Sequence, residues 1–379
     1  MKLIRMLVSI SILYTCSACV AWAQQPPANS LNNWSQYLRT NMQRYNPYED
    51  VLNIHNVGKL ELKWSYTTGG AVFSSPAVVD GVVYVGSSDS NVYAFNAHTG
   101  AKLWSYTTGN SVQSSPAVAN GVVYVGSSDN NLYALNATTG AKLWSYATGL
   151  WVISSPAVVN NVVYFGSYDY NVYALNARTG ALLWSYPTDL YVSSSPAVAN
   201  GIVYIGSWDG NLYALNAGTG ALLWSYNTGF QIQGAPAVAN GAVYTPSVGD
   251  VYALDATTGV FLWSYDVQGM VEPDAPAVAD GVVYVSSWFA QNMYAFNAGT
   301  GEPLWTVPIT GDTGSSPAVA NGVVYVGWYN GLMYALNAKT GDQLWSYYIF
   351  DEYSSPAVAN GMVFVGSKTH NSIYAFGLK

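Results

Sequence analysis

Eight near-copies of one phrase, set about forty residues apart, fill the chain from Leu60 to its last residue. The clearest copy reads SSPAVANGVVYVGSSDNNLYALNATTGAKLWSYATG from Ser114. Its proline recurs at Pro76, Pro116, Pro156, Pro196, Pro236, Pro276, Pro317 and Pro356, and its tryptophan at Trp64, Trp104, Trp144, Trp184, Trp224, Trp263, Trp305 and Trp345. A period of this length, rich in β-branched and aromatic residues and punctuated by turns, marks one supersecondary unit per copy that cannot bury its apolar face alone. Stacking the copies around a closed ring solves that problem and limits exposed edges. The expected fold is therefore all-β, an eight-bladed β-propeller of four-stranded blades.

Each unit divides into four extended runs, strands a to d, which in the second copy are SPAVA, VVYVGS, LYALN and AKLWSYA. Asn120-Gly121 between a and b is a two-residue hairpin turn that needs positive φ at both positions. Equivalents stand at Asp80-Gly81, Asn200-Gly201, Asn240-Gly241, Asp280-Gly281, Asn321-Gly322 and Asn360-Gly361. Between c and d, Asn136 to Gly140 reads as an Asx-type turn closed by a left-handed glycine. Strand b is apolar on both faces, as expected of a strand sandwiched between neighbouring blades. The first copy supplies only a d strand, Leu60 to Thr67, and the last, Ser354 to Phe376, lacks one. The N-terminal d strand is therefore expected to complete the eighth blade, with the eight tryptophans as structural plugs between blades.

Residues 1–23 read as a secretory signal: Lys2 and Arg5, an apolar stretch too short to span a bilayer, then Ala21-Trp22-Ala23 before Gln24. The rival reading is a lipid anchor at Cys19 after Ser17-Ala18. Both cysteines, Cys16 and Cys19, lie in this leader, so cleavage after Ala23 leaves no disulfide framework. Residues 24–58 form an N-terminal arm and 59–379 one propeller domain. Without Lys2 and Arg5, ten basic residues face twenty acidic ones, a balance that disfavours nucleic acid as partner. No transmembrane span follows the leader, and charged residues are only 8% of the chain, so polar contacts with proteins or sugars suit its surface. The expected state is a monomeric propeller, periplasmic or secreted.

The run ALNATTGAKLW resembles the tryptophan-docking motif of the eight-bladed quinoprotein propellers, the pyrroloquinoline-quinone (PQQ)-like repeat family. That family includes PQQ-dependent alcohol dehydrogenases and the outer-membrane assembly lipoprotein BamB. The usual aspartate of the motif is asparagine at Asn96, Asn136, Asn176, Asn216, Asn297 and Asn337, with Asp255 the exception. In the arm, Trp34, Tyr37, Arg44-Tyr45, Asn56-Val57 and Leu62-Lys63-Trp64 resemble the lead-in segment of PQQ-dependent alcohol dehydrogenases. The resemblance implies the fold strongly and activity weakly, because many members are not enzymes. In the dehydrogenases the quinone, a polycarboxylate, lies on the top face with calcium, cationic side chains and usually a disulfide between adjacent cysteines. Antiparallel geometry puts the d-to-a and b-to-c loops on that face. Lys102, Lys142, Arg178 and Lys339 sit at c-to-d turns on the opposite face, Arg39, Arg44, Lys59 and Lys63 in the arm or first strand, and Lys379 at the terminus. Only Lys368 is placed to meet a cofactor carboxylate. No cofactor or metal is expected on the leading reading, and PQQ with calcium belongs to the alternative.

Other catalytic constellations are weak. His55, His98 and His370 are scattered, the Ser-Ser pairs before proline are repeat structure, and Asp89, Asp129, Asp169 and Asp209 lack calcium-loop spacing and read as turn formers. Variation concentrates instead in the top loops. The d-to-a segments read GGAVF, GNSVQ, GLWVI, DLYVS, GFQIQ, GMVEPD, GDTG and FDEY. Aromatics gather there, Trp151, Tyr168, Tyr191, Trp208, Phe230, Trp288, Phe289, Trp328, Tyr329 and Tyr353, with carboxylates Glu272, Asp274, Asp312, Asp351 and Glu352. With Lys368 these are the candidate partner face, most irregular over blades five to eight. No catalytic residue is assigned. The leading expectation is a non-catalytic, BamB-like extracytoplasmic scaffold that binds a protein or other ligand at the cell envelope. A PQQ-dependent alcohol or sugar dehydrogenase with a reduced site is the alternative, and a glycan-binding propeller the second alternative.

Overall fold

The computed structural model describes residues 32–39, 42–270, 275–287, 290–308, 315–328, 330–349 and 354–379. Among these the strands form eight antiparallel sheets in the order a-b-c-d, joined by the short turns that the repeat encodes. Blade 1 comprises Ala77–Val79, Val82–Gly86, Asn91–Asn96 and Lys102–Thr107. Blades 2 to 7 repeat this pattern, starting at Ala117, Ala157, Ala197, Ala237, Ala277 and Ala318. Blade 8 joins Ala357–Ala359, Met362–Ser367 and Ser372–Gly377 to Glu61–Thr67, so the two ends of the chain meet in one sheet as expected. The turn chemistry holds: Asn120 and Gly121 have φ of 51° and 75°, and blade 3 achieves the same turn with Asn160 and Asn161. Asn136 Oδ1 accepts the amides of Thr138 and Thr139, and Asp255 does the same for Thr257 and Thr258. No helix among the described residues is long and apolar enough to cross a membrane.

Tryptophan staples join the blades. Trp104 Nε1 donates to the carbonyl of Ala137 in the c-to-d turn of the next blade at 2.9 Å. Trp64, Trp144, Trp184, Trp224, Trp263 and Trp305 reach Ala97, Ala177, Ala217, Ala256, Ala298 and Ala338 in the same way. At the ring closure no covalent turn exists, and Trp345 donates instead to Leu60 at 3.0 Å. Each staple onto a c-to-d turn needs the turn glycine: a Cβ on Gly140, whose φ is +72°, would lie 2.7 Å from the Trp104 ring. Burying one indole removes about 150 to 250 Å² from water, worth on the order of 4 to 6 kcal/mol as an upper bound. Tyrosines of strand b add a second bond to the same carbonyls, as Tyr84 does to Ala137 and Tyr124 to Ala177. In blade 7 the Tyr325 hydroxyl is buried with no partner, because the seam offers it no such turn, and blade 8 carries Phe364 at the equivalent position.

The segment from Asn32 fills the middle of the ring. Strand a is innermost, and its free edge would leave amides unpaired inside the protein. The arm satisfies them in passing: Trp34 exchanges two hydrogen bonds with Val78, Ser35 and Gln36 accept from Val118 and Val158, and Met42, Gln43 and Arg44 accept from Val238, Val278 and Val319. Tyr45–Asn46 then pairs parallel to blade 7, and Asn46 Nδ2 reaches Val358 in blade 8. The strap, turning at Arg39, Met42 and Arg44, therefore visits blades 1, 2, 3, 5, 6, 7 and 8. Above it the paired serines close a second ring. The Ser75 amide donates to Ser115 Oγ, Ser115 to Ser155, and Ser155 to Ser195, each at 2.9 Å. The chain of bonds resumes from Ala275 to Ser316, Ser355 and back to Ser75. It is interrupted where alanine stands at 235 and 275.

Candidate functional site

The upper face is built from d-to-a and b-to-c loops, and in blades 1 to 4 aspartate holds them. Asp129 accepts from its own loop at Asn131, from Tyr133 Oη at 2.7 Å, and from the Gly109 amide of the preceding blade at 2.5 Å. Asp89, Asp169 and Asp209 repeat the arrangement. These residues are more than turn formers, because they clamp one blade to the next. Burial alone would raise the Asp89 carboxyl, but hydrogen bonds from Tyr93, Asn91 and Gly69 together hold it below its ordinary pKa. Burial first, and then the same hydrogen bond, pushes Tyr93 well above the usual tyrosine range.

Beside the clamps, one pair of positions per blade lies next to its counterparts around the upper rim. Each b-to-c residue donates its amide to the residue seventeen positions earlier: Ser88 to Ala71, Ser128 to Ser111, Tyr168 to Trp151 and Trp208 to Tyr191. Contact continues between blades, through Ser111 Oγ to Ser88 Oγ in one place and Tyr168 against Tyr191 in another. The rim thus reads Ala71, Ser88, Ser111, Ser128, Trp151, Tyr168, Tyr191, Trp208, Gln231. Four consecutive positions are aromatic. Trp151 and Tyr168 have ring centroids 5.8 Å apart, Tyr168 and Tyr191 stack at 4.7 Å, and Trp208 meets Tyr191 edge-on at 5.4 Å. Tyr170, with φ of 70°, packs on Tyr191 at 5.1 Å, and Trp208 Nε1 donates to Ser193 Oγ at 2.8 Å.

Trp151, Tyr168, Tyr191 and Trp208, read separately from the sequence, are therefore brought together. Phe230 is 60% exposed at the neighbouring loop tip. Trp328 is a correction: it is fully buried, not part of the face. It occupies the position of Ser87, Ser127, Ser167 and Ser207, whose buried hydroxyls donate to the carbonyls of Gly70, Asn110, Leu150 and Leu190, and it packs edge-on against Tyr334. Lys368 lies half-buried in the loop of blade 8, beside His370, whose Nδ1 is 3.2 Å from Tyr374 Oη. Glu272, Asp274, Trp288, Phe289, Asp312, Tyr329, Asp351, Glu352 and Tyr353 lie outside the described residues. So does the leader with Cys16, Cys19 and Ala23. Sequence reasoning missed Tyr170 and the exposed Leu150 and Leu190, although the forty-residue register of Leu150, Leu190 and Phe230 was an available signal. It also gave the arm no position relative to the ring.

The buried cations serve the strap. Arg44 donates to the carbonyls of Pro317, Tyr37 and Pro356 at 2.7 to 2.9 Å and lies over the Tyr37 ring at 4.9 Å. Burial lowers Arg39 to about 10, against the favourable influence of Tyr48 and Tyr45. Among the described residues the upper loops carry Lys368 as their lysine or arginine, and no three His, Cys, Asp or Glu side chains are placed to hold a metal ion. Among the described residues this donor set offers a polycarboxylate one upper-loop cation and a calcium ion no cluster of carboxylates.

A family model described as outer membrane protein assembly factor BamB matches residues 109–244, 230–306 and 290–378. A second, the β-propeller domain of glucose, ethanol and alcohol dehydrogenases, matches residues 34–113. Quinoprotein alcohol dehydrogenase PedH of Pseudomonas putida is 37% identical over 83 residues, which span 21% of this chain and 14% of that relative. The chain thus matches only a small part of that relative's length. Quinohemoprotein alcohol dehydrogenase ADHIIG of Pseudomonas putida superposes with a TM-score of 0.81 at 19% identity, over 93% of this chain and 81% of that one. BamB of Moraxella catarrhalis superposes at 0.73 with 20% identity, over 84% of this chain and all of that one. At such identities the superpositions speak for the fold alone.

Proposed function

We propose that this chain, which belongs to the PQQ-like repeat family described by the outer membrane protein assembly factor BamB, is a non-catalytic scaffold that binds a protein partner through its upper face. The observation that carries this reading is the contrast between the two ends of the ring axis. The middle is filled by the chain's own strap, whose buried Arg44 is bonded to backbone carbonyls, while the upper rim carries exposed aromatic and aliphatic side chains. At the other end of the axis Asn33 bonds to Asp80 in a lower turn. Export by the leader, periplasmic or secreted location, and anchoring at Cys19 as its variant belong to this proposal.

The alternative is a PQQ-dependent dehydrogenase, favoured by the match of residues 34–113 to the dehydrogenase propeller model. Purified protein incubated with PQQ and calcium, then assayed for dye reduction with alcohols and aldose sugars, separates the two. The scaffold reading expects no stoichiometric uptake and no turnover. Uptake with turnover would establish the enzyme, and Asp274, Asp312 and Lys368 would be the first residues to test.

A further inference from the structure

We infer that the aromatic arc Trp151, Tyr168, Tyr191 and Trp208 is the docking centre of the upper face, and that its occupant is a polypeptide segment with apolar side chains and cationic flanks. The inference rests on the scaffold reading above and names its site and partner chemistry.

Three observations fix the occupant. The first is the stacking. Tyr168 covers Tyr191 at 4.7 Å and 28°, Trp151 leans on Tyr168 at 30°, and Trp208 closes the row edge-on at 90°. The stack covers a face of Tyr168 and of Tyr191, whereas a sugar ring needs an open aromatic face. The second is the flank of aliphatic tips. Leu150, Leu190 and Phe230 occupy one equivalent position in three successive blades and are 44%, 43% and 60% exposed, where blades 1 and 2 carry Gly70 and Asn110. Together with the half-exposed Trp151 they put exposed apolar side chains on three successive upper loops, a pattern that suits a protein contact surface with rigid aromatics as anchors. The third is charge. Asp169, Asp189 and Asp209 lie in these same loops, the described upper loops carry Lys368 only on blade 8, and the chain's net charge is −8. A cationic segment is attracted to such a surface and an anionic one repelled.

The test uses the full chain and fluorescein-labelled fifteen-residue peptides read by anisotropy. One carries leucine and phenylalanine between lysines, a second the same apolar residues between glutamates, and a third the lysines with serine in place of the apolar residues. Only the first is expected to bind, more weakly as salt rises. Trp151→Ser with Tyr191→Ser should weaken it at least tenfold with the far-UV spectrum unchanged, and Leu150→Ser with Phe230→Ser should do so by a smaller factor. Leu143→Ser on the exposed outer rim should change nothing. Equal binding of the glutamate peptide, or full binding by both arc variants, would overturn the inference. So would binding of maltoheptaose at the arc with no peptide bound. Loss of the peptide with Lys368→Gln but not with the arc variants would sink the arc and keep the upper-face scaffold. Loss with Lys102→Gln and Lys142→Gln alone would sink the scaffold reading too.

Discussion

Blades 1 to 4 and blades 5 to 8 are built from the same phrase, yet they hold their upper loops differently. In the first half an aspartate ties each loop to the preceding blade, and the serine ladder runs unbroken from Ser75 to Ser195. In the second half that aspartate is replaced: blade 7 carries Asn330, which accepts from the Leu332 amide and donates to Tyr334 Oη. Blade 5 has a long hairpin, Val248–Asp255 and Phe261–Met270, in which Asp250 faces Asp266 across the strands. Blade 7 places Trp328 where blades 1 to 4 have serine. The tryptophan staples, by contrast, continue around the whole ring. The ring therefore depends on contacts along its flanks and lower turns, and the upper loops are free to diverge without opening it.

The largest effect should be shared by both halves. Trp104→Ala and Trp305→Ala each remove an interblade plug and are expected to cost about 3 to 5 kcal/mol in a urea titration. Trp151→Ala on the upper rim should cost far less. A staple loss confined to one half would break the idea that the ring is uniform beneath its loops.

Acid sensitivity should differ in sign between the halves. Asp89 has a depressed pKa, so its contribution is present above the unfolded value of about 3.9 and is lost as pH falls through the folded value. Asp250 is raised, first by burial and then by Asp266, against the hydrogen bond from Tyr252. Its ionised form therefore weakens the folded state at neutral pH, and protonation relieves that as pH falls through the raised pKa. Asp89→Asn should lower the melting temperature at pH 7 and flatten the acid limb, while Asp250→Asn should raise it. The same sign for both variants would remove the electrostatic half of the comparison.

The smallest effect tests the interrupted ladder. Ala235→Ser would supply the Ser195 amide with the hydroxyl acceptor that Ser75, Ser115 and Ser155 already have. A gain of about 0.5 to 1.5 kcal/mol is expected in the urea midpoint. A loss would mean that alanine at 235 is fixed by packing rather than by drift.

Almost all of the ring was legible in the sequence, because its period reports local chemistry. Positive φ at Asn120 and Gly121, the Asx bonds of Asn136 and the missing d strand at the end each follow from a few neighbouring residues. The upper face was legible as composition and only partly as a site. Trp328 and Trp208 are both aromatics in a b-to-c loop, but a one-position difference sends the first into the core and the second to the rim. Trp151, Tyr168, Tyr191 and Trp208 are separated by alternating intervals of 17 and 23 residues, and only the closing of adjacent blades makes them neighbours.

By itself the sequence determined the blade, the number of blades and the way the ring shuts, since each is set by short-range turns and by a repeat that must bury its strands. Tertiary structure decided where the non-repeating parts went. Nothing local in Asn32 to Asn46 says that it should thread the ring. It does so because the innermost strands leave inward-facing amides that its carbonyls and side chains can pair, and burying those amides unpaired would cost more than ordering the strap.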